Sequence, residues 1–109
     1  MSGGAVVDRI VEAFNRRDLE AFASGYAEEI VIEDARGAVL VRGAHALRAR
    51  YRSMFAASPG LACVVLSRVC VGEYVVDEER ISGRSAEPER LVVVYHLAGG
   101  LVDHERIVR

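Results

Sequence analysis

Val6, Val7, Ile10, Val11 and Phe14 recur at the spacing of one helical face, so residues 4–16 are expected to form an amphipathic helix. Asp18 reads as the N-cap of a short second helix that turns Leu19, Phe22 and Ala23 inward and ends near Gly25. Residues 29–34 and 38–42 are short β runs divided by Arg36-Gly37, a turn signal. Leu47, Tyr51, Met54 and Phe55 return to helical spacing, which predicts a third helix over 44–57, stopped by Pro59-Gly60.

Beyond Gly60 the period shortens to two. Strands are expected over 61–71, 74–82, 90–97 and 101–108, and their short connections imply an antiparallel meander. The run 61–71 is apolar on both parities, with Cys63, Val65 and Val69 on one and Val64, Leu66 and Cys70 on the other; 91–97 is similar. Three helices can cover only one face of such a sheet, so the other is expected to pack on a second copy, giving a homodimer through the sheet face. Helices followed by a long curved sheet make an α+β fold in which the helices close one end of a cone and leave a cavity against its concave face.

The chain has 109 residues, enough for one domain and one core. Hydrophobic residues make up 51% and charged residues 28%, as in a soluble globular domain. A net charge of −2 and a pI near 5.9 leave no electrostatic footprint for nucleic acid. No apolar run has the length of a membrane span, and the first residues lack the order of a signal peptide, so a cytoplasmic location is expected. Cys63 and Cys70 are expected on opposite faces of one strand, which forbids a bridge and makes both small buried apolar residues. His45, His96 and His104 fall on separate elements, and no metal or organic cofactor is implied.

Two stretches carry candidate chemistry. In VIEDARG (31–37), alternation sends either Glu33 or Asp34 inward; Asp34 is then a pocket base or simply the side-chain cap of the turn to Gly37. In YVVDEERIS (74–82), charges lie on both parities, so a strand buried on both sides would have to pair them.

The segments VVDRIVEAFNRRDLEAFASGYAEEIVIEDARG, VRGAHALRARY and AGGLVDHERIVR resemble the nuclear transport factor 2-like superfamily, above all its branch of steroid Δ-isomerases and SnoaL-like proteins. The resemblance covers nearly the whole chain. It implies a single domain over 1–109, folded as a cone-shaped, cystatin-like roll with three N-terminal helices on a curved, mostly antiparallel sheet. It also implies a pocket for a small apolar or carbonyl-containing molecule and a sheet-to-sheet dimer. The reaction stays open, because this fold hosts isomerases, cyclases, epoxide hydrolases, dehydratases and binding subunits without chemistry.

Under that resemblance Asp34 stands where steroid isomerases carry the general base that takes a proton α to a carbonyl. Ile10 and Val93 stand where those enzymes place the tyrosine and protonated aspartate of their oxyanion hole, and losing one such donor typically costs ~10²–10³ in rate. Tyr26 and Tyr51 match supporting tyrosines: either donates to a ligand oxygen in the space beside Ile10, or both are helix-face residues with the ring inside and the hydroxyl at the rim. Phe55 is expected in the same pocket wall, and of Tyr95 and His96 only one can face the cavity. The resemblance also turns Glu78 and Arg80 toward the pocket, opposite Glu105. The three would form a carboxylate, guanidinium and carboxylate set similar to the one with which epoxide hydrolases of this fold activate water; the other reading is a salt-bridged network at a dimer rim or sheet edge. Three functions therefore compete: an isomerase or cyclase using Asp34, water addition using Glu78, Arg80 and Glu105, and a non-catalytic ligand-binding or interaction module.

Overall fold

In the computed structural model, which describes residues 2–109, the first apolar stripe forms α1 (Gly3–Arg16). The Ser2 hydroxyl accepts the Ala5 amide at 3.2 Å, and Arg17, in a left-handed conformation with φ 56°, ends the helix by donating its amide to the Phe14 carbonyl. Asp18 caps α2 (Leu19–Ala23) by accepting the Ala21 amide. Both helices bury their apolar sides, and after the C-cap Ser24 comes Gly25, where a side chain would run into Ile10.

The strands are β1 (Tyr26–Asp34), β2 (Val39–Arg42), β3 (Ala62–Val71), β4 (Tyr74–Ser82), β5 (Glu89–Ala98) and β6 (Leu101–Val108), with α3 (Ala44–Ala57) between β2 and β3. They make one six-stranded sheet in the order β2-β1-β6-β5-β4-β3. The predicted meander is present from β3 to β6. The β1–β2 hairpin then extends it from the β6 side through a parallel β1–β6 pair, so the sheet is mixed. Bulges interrupt the register between Ile32 and Glu33, between Val65 and Ser67 and between His96 and Leu97, where bulges bend strands. The helices pack on one face, and the core of Val7, Ile10, Ile30, Ile32, Leu47 and Val75 lies between the layers. The result is an α+β fold of the expected kind, with a sheet not closed into a barrel. No helix among the described residues is long and apolar enough to cross a membrane.

The bulge in β3 corrects the expectation for the cysteines. An extra residue shifts the parity, so Cys63 and Cys70 pair with Ile81 and Val75 and share a face. Cys63 is buried as expected, whereas Cys70 is exposed, and both are free thiols.

Charge fastens α1 to the sheet. Asp77 on β4 is fully buried and takes a two-pronged contact from Arg68 on β3, at 2.7 and 2.9 Å. The same guanidinium donates to the Gly4 carbonyl at 3.1 Å and to Asp8 at 2.6 Å. On the opposite face of the sheet, Val64, Leu66, Val69, Val71, Tyr74 and Val92 are exposed.

Candidate functional site

On β4 the burial alternates as Val75, Asp77, Glu79 and Ile81 inward, leaving Val76, Glu78 and Arg80 outward. This places Glu79, only 4% exposed, in the space between sheet and helices, on the same face as Glu105 of β6, which is 3% exposed and two strands away. Both carboxylates line one cavity of about 60 Å³. Its walls are apolar, with Ile10, Phe14, Phe22, Met54, Leu91 and Val93 among them, and Arg50, Arg84 and Arg109 also line it.

Each carboxylate is held by a tyrosine. The Tyr26 hydroxyl donates to Glu105 Oε1 at 2.9 Å, and the Tyr95 hydroxyl donates to Glu79 Oε2 at 2.9 Å. Glu79 Oε1 takes a weaker donor, the Cys63 thiol, at 3.5 Å. Glu105 Oε2 and the Tyr51 hydroxyl have no partner among the described residues, and neither is sealed from solvent-sized space, so both open into the cavity. Tyr51 is itself fixed by aromatic packing, its ring centroid 4.4 Å from that of Phe22.

Burial raises both carboxyl groups. Glu105 is pushed up to about 8, first by desolvation, with the Tyr26 hydrogen bond and the Arg50 charge opposing and the Glu79 charge adding. Glu79 is raised to about 7, again chiefly by desolvation, with Tyr95 and Cys63 holding it down and the charge of Asp77 pushing it up. Glu79 thus carries two donors against one on Glu105. Desolvation and the same carboxylates raise Tyr26 and Tyr95, and burial raises Tyr51 and Cys63, so all four stay protonated near neutrality. No group of three or more His, Cys, Asp or Glu among the described residues is close enough to hold a metal ion.

The model of the SnoaL-like domain matches residues 7–107. The chain belongs to the SnoaL-like family. Among curated proteins no sequence match was found. The fold of this SnoaL-like domain is close to that of a cystatin-fold protein of Novosphingobium aromaticivorans, with a TM-score of 0.94 at 22% identity over 100% of this chain and 99% of the other. It is also similar to a putative polyketide cyclase of Sinorhizobium meliloti, with a TM-score of 0.83 at 20% identity over 98% and 99%. A putative ketosteroid isomerase of Kribbella flavida gives 0.81 at 19% identity, covering 95% of this chain and 74% of that one. At these identities the likeness is one of fold.

Within the SnoaL-like cone the expected site residues separate. Ile10, Tyr26, Tyr51, Val93 and Glu105 line the cavity. Phe55 does not; it backs the wall, with ring centroids 5.6 Å from Phe14 and 6.1 Å from Tyr51. Asp34 is outside the lining as well. Its Oδ1 accepts the amides of Arg36 and Ala38, both at 2.9 Å, so the carboxylate caps the turn, while Glu33 on the outer face binds His104 at 2.8 Å and Arg106 at 2.7 Å. Glu78 and Arg80 correct the resemblance by one residue of register: Glu78 binds Ser67 and Arg90 on the outer face, and Arg80 is exposed. Tyr95 rather than His96 faces the cavity, and His96 binds Asp103 on the outside at 2.6 Å.

Glu79 is the residue that the sequence reading missed. Its parity on β4 runs from Val75 to Ile81, apolar at both ends, whereas the parity assigned to the pocket ends at Ser82. That difference was the available signal.

Proposed function

We propose that this domain binds a small carbonyl-containing molecule in its cone and moves a proton on it, with Glu79 and Glu105 as base and acid. The observation that carries this reading is the burial of two carboxyl groups in one largely apolar cavity, each oriented by a tyrosine, with Glu105 Oε2 left open. Between the two affinities for protons the pair holds a single proton, which the extra donors on Glu79 leave on Glu105. Glu79 then removes a proton from the carbon next to the carbonyl. The C–H electrons become the C=C bond of an enol, and the carbonyl oxygen takes its proton from Glu105. Return of the proton from Glu79 to a different carbon, with Glu105 taking its own back, completes an isomerisation. Attack of the enol carbon on a second carbonyl breaks that C=O π bond; the new alkoxide takes the proton held by Glu79 while Glu105 recovers the enol proton, which completes a cyclisation. Neutral Glu105 and the Tyr51 hydroxyl thus take the part of the oxyanion donors absent at Ile10 and Val93.

The reading moves the base from Asp34 to Glu79, because Glu79 lines the cavity whereas Asp34 lies outside it with its Oδ1 capping the turn. It drops water addition by Glu78, Arg80 and Glu105, because Arg80 is exposed to solvent. The test is deuterium exchange in D2O, followed by proton NMR, on a panel of small 1,3-dicarbonyl and β,γ-unsaturated carbonyl compounds. Protein-catalysed loss of the α-proton signal is expected, falling by about 10²–10⁴ in Glu79→Gln and persisting in Asp34→Asn. Exchange that survives both Glu79→Gln and Glu105→Gln ends this reading.

The cavity of about 60 Å³ favours a second reading, a binding or interaction module without chemistry, in which the carboxylate pair is a satisfied polar element of the core. Binding of panel members with no exchange above the protein-free rate is its signature. We also propose a homodimer through the outer sheet face, supported by the exposed apolar side chains there, and a cytoplasmic location, with which the free thiols of Cys63 and Cys70 agree.

A further inference from the structure

Arg50 lies on α3, one residue before Tyr51, and lines the same cavity as the two carboxyl groups. It is half-buried, yet its guanidinium makes no hydrogen bond or ion pair with any described residue. The other two arginines of the lining are committed: Arg84 binds Glu89, and Arg109 lies 3.4 Å from the same carboxylate. A guanidinium offers five donors in a planar fork, and a partly desolvated one without a partner is an anion site awaiting its anion. Glu105 does not fill that role near neutrality, since a protonated carboxyl carries no charge to neutralise Arg50.

We propose that the ligand of this cavity is an organic anion, a short oxo acid whose carboxylate pairs with Arg50 while its carbonyl points inward to Glu105 and the Tyr51 hydroxyl. This rests on the proton-transfer reading for the role of the inner end, and adds to it the class of molecule. Three features support the polarity. The uncommitted guanidinium is the less buried group and the carboxyl pair the more buried one, so an entering anion meets the cation before the acids. The walls between are apolar and suit a short carbon chain. Finally, the anionic member of the pair, Glu79, is covered by the Tyr95 and Cys63 donors, which reduces its repulsion of a second carboxylate.

The test separates charge recognition from chemistry. Isotope-labelled protein is titrated by NMR with 4-oxopentanoate and, in parallel, with the neutral pentan-2-one. The acid is expected to bind roughly ten- to a hundredfold more tightly, as one charge-assisted contact warrants, and to weaken as salt is raised. Arg50→Gln should bring the acid down to the affinity of the ketone, and Arg50→Lys, which keeps the charge and loses the fork, should retain part of the preference. Equal binding of acid and ketone overturns the proposal, as does an acid preference that survives in Arg50→Gln or failure of the acid to bind at millimolar concentration. Binding of the acid through Arg50 with no α-proton exchange leaves the anion site standing and defeats the proton-transfer reading. Exchange of neutral ketones with no acid preference does the reverse.

Discussion

Glu105 has one oxygen held by Tyr26 and the other facing the cavity, and its environment disfavours the charged form. The consequence for stability has a definite sign. Its affinity for protons rises from an ordinary 4.5 in the unfolded chain to about 8 in the fold, so its contribution is fully present below 4.5 and is lost as the pH climbs to 8. Glu79 acts in the same direction up to about 7. Glu33 and Glu78 are held below the usual carboxylate range, mainly by Arg106 and by Ser67 respectively, so their contributions are lost only under acid conditions, outside that window. A tenfold change in proton affinity is worth about 1.4 kcal/mol, so wild-type protein should lose roughly 3–5 kcal/mol between pH 5 and 8 from Glu105 alone. Glu105→Gln keeps an acceptor for Tyr26 and no longer titrates. Urea denaturation at a series of pH values should therefore give a flatter stability profile for the variant; parallel profiles would mean that Glu105 is ionised in the fold.

At the scale of elements, the clamp from β3 and β4 to α1 is a buried charge whose whole compensation comes from one guanidinium. Arg68→Ala leaves Asp77, with no solvent exposure, facing α1 unpaired, and should destabilise the domain by about 3–5 kcal/mol in chemical unfolding. Replacing both partners with apolar residues, Arg68→Met with Asp77→Leu, should recover much of that loss. The same strand defines what the sequence could reveal. Helices with an apolar stripe and a cap, and strands bounded by glycine turns, are local signals, and α1, α2, α3 and the β3–β6 meander lie where those signals place them. Which parity of β4 faces inward is not local. The strand carries acids on both faces, and the choice depends on Arg68 reaching Asp77 and on Tyr95 and Cys63 reaching Glu79, contacts across neighbouring strands. Register therefore misplaced Glu78 and Arg80, while Glu105, with Ile107 nearby to mark the inward parity of β6, was found. Asp34 shows the opposite limit. Its inward parity was legible, because Ile30 and Ile32 share it, but the turn amides that occupy its carboxylate became visible only with the fold.

At the scale of the whole molecule, the helices cover one face of the sheet, and the other presents Val69, Val76 and Val94 as a row of cross-strand neighbours over β3, β4 and β5. Exposed Val64, Leu66, Val71 and Val92 widen this row into a patch, crossed by the Glu78–Arg90 pair and bordered on the β6 and β1 side by Glu33 with His104 and Arg106. An apolar centre with a charged border is the anatomy of an interface, and a stable one needs roughly 800 Å² from each partner. A second copy meets that need with the same patch under two-fold symmetry. Sedimentation velocity at micromolar concentration should give a dimer. Val69→Lys combined with Val71→Lys should give a folded monomer, because both side chains are more than half exposed in the isolated chain, and a lysine there costs nothing until the faces meet. A wild-type monomer at that concentration would sink the dimer, and a double variant that still sediments as a dimer would move the contact to another face. The cavity opens on the opposite side of the sheet from this patch, so the monomeric variant should bind 4-oxopentanoate as the wild type does, which makes assembly and ligand recognition separable in one preparation.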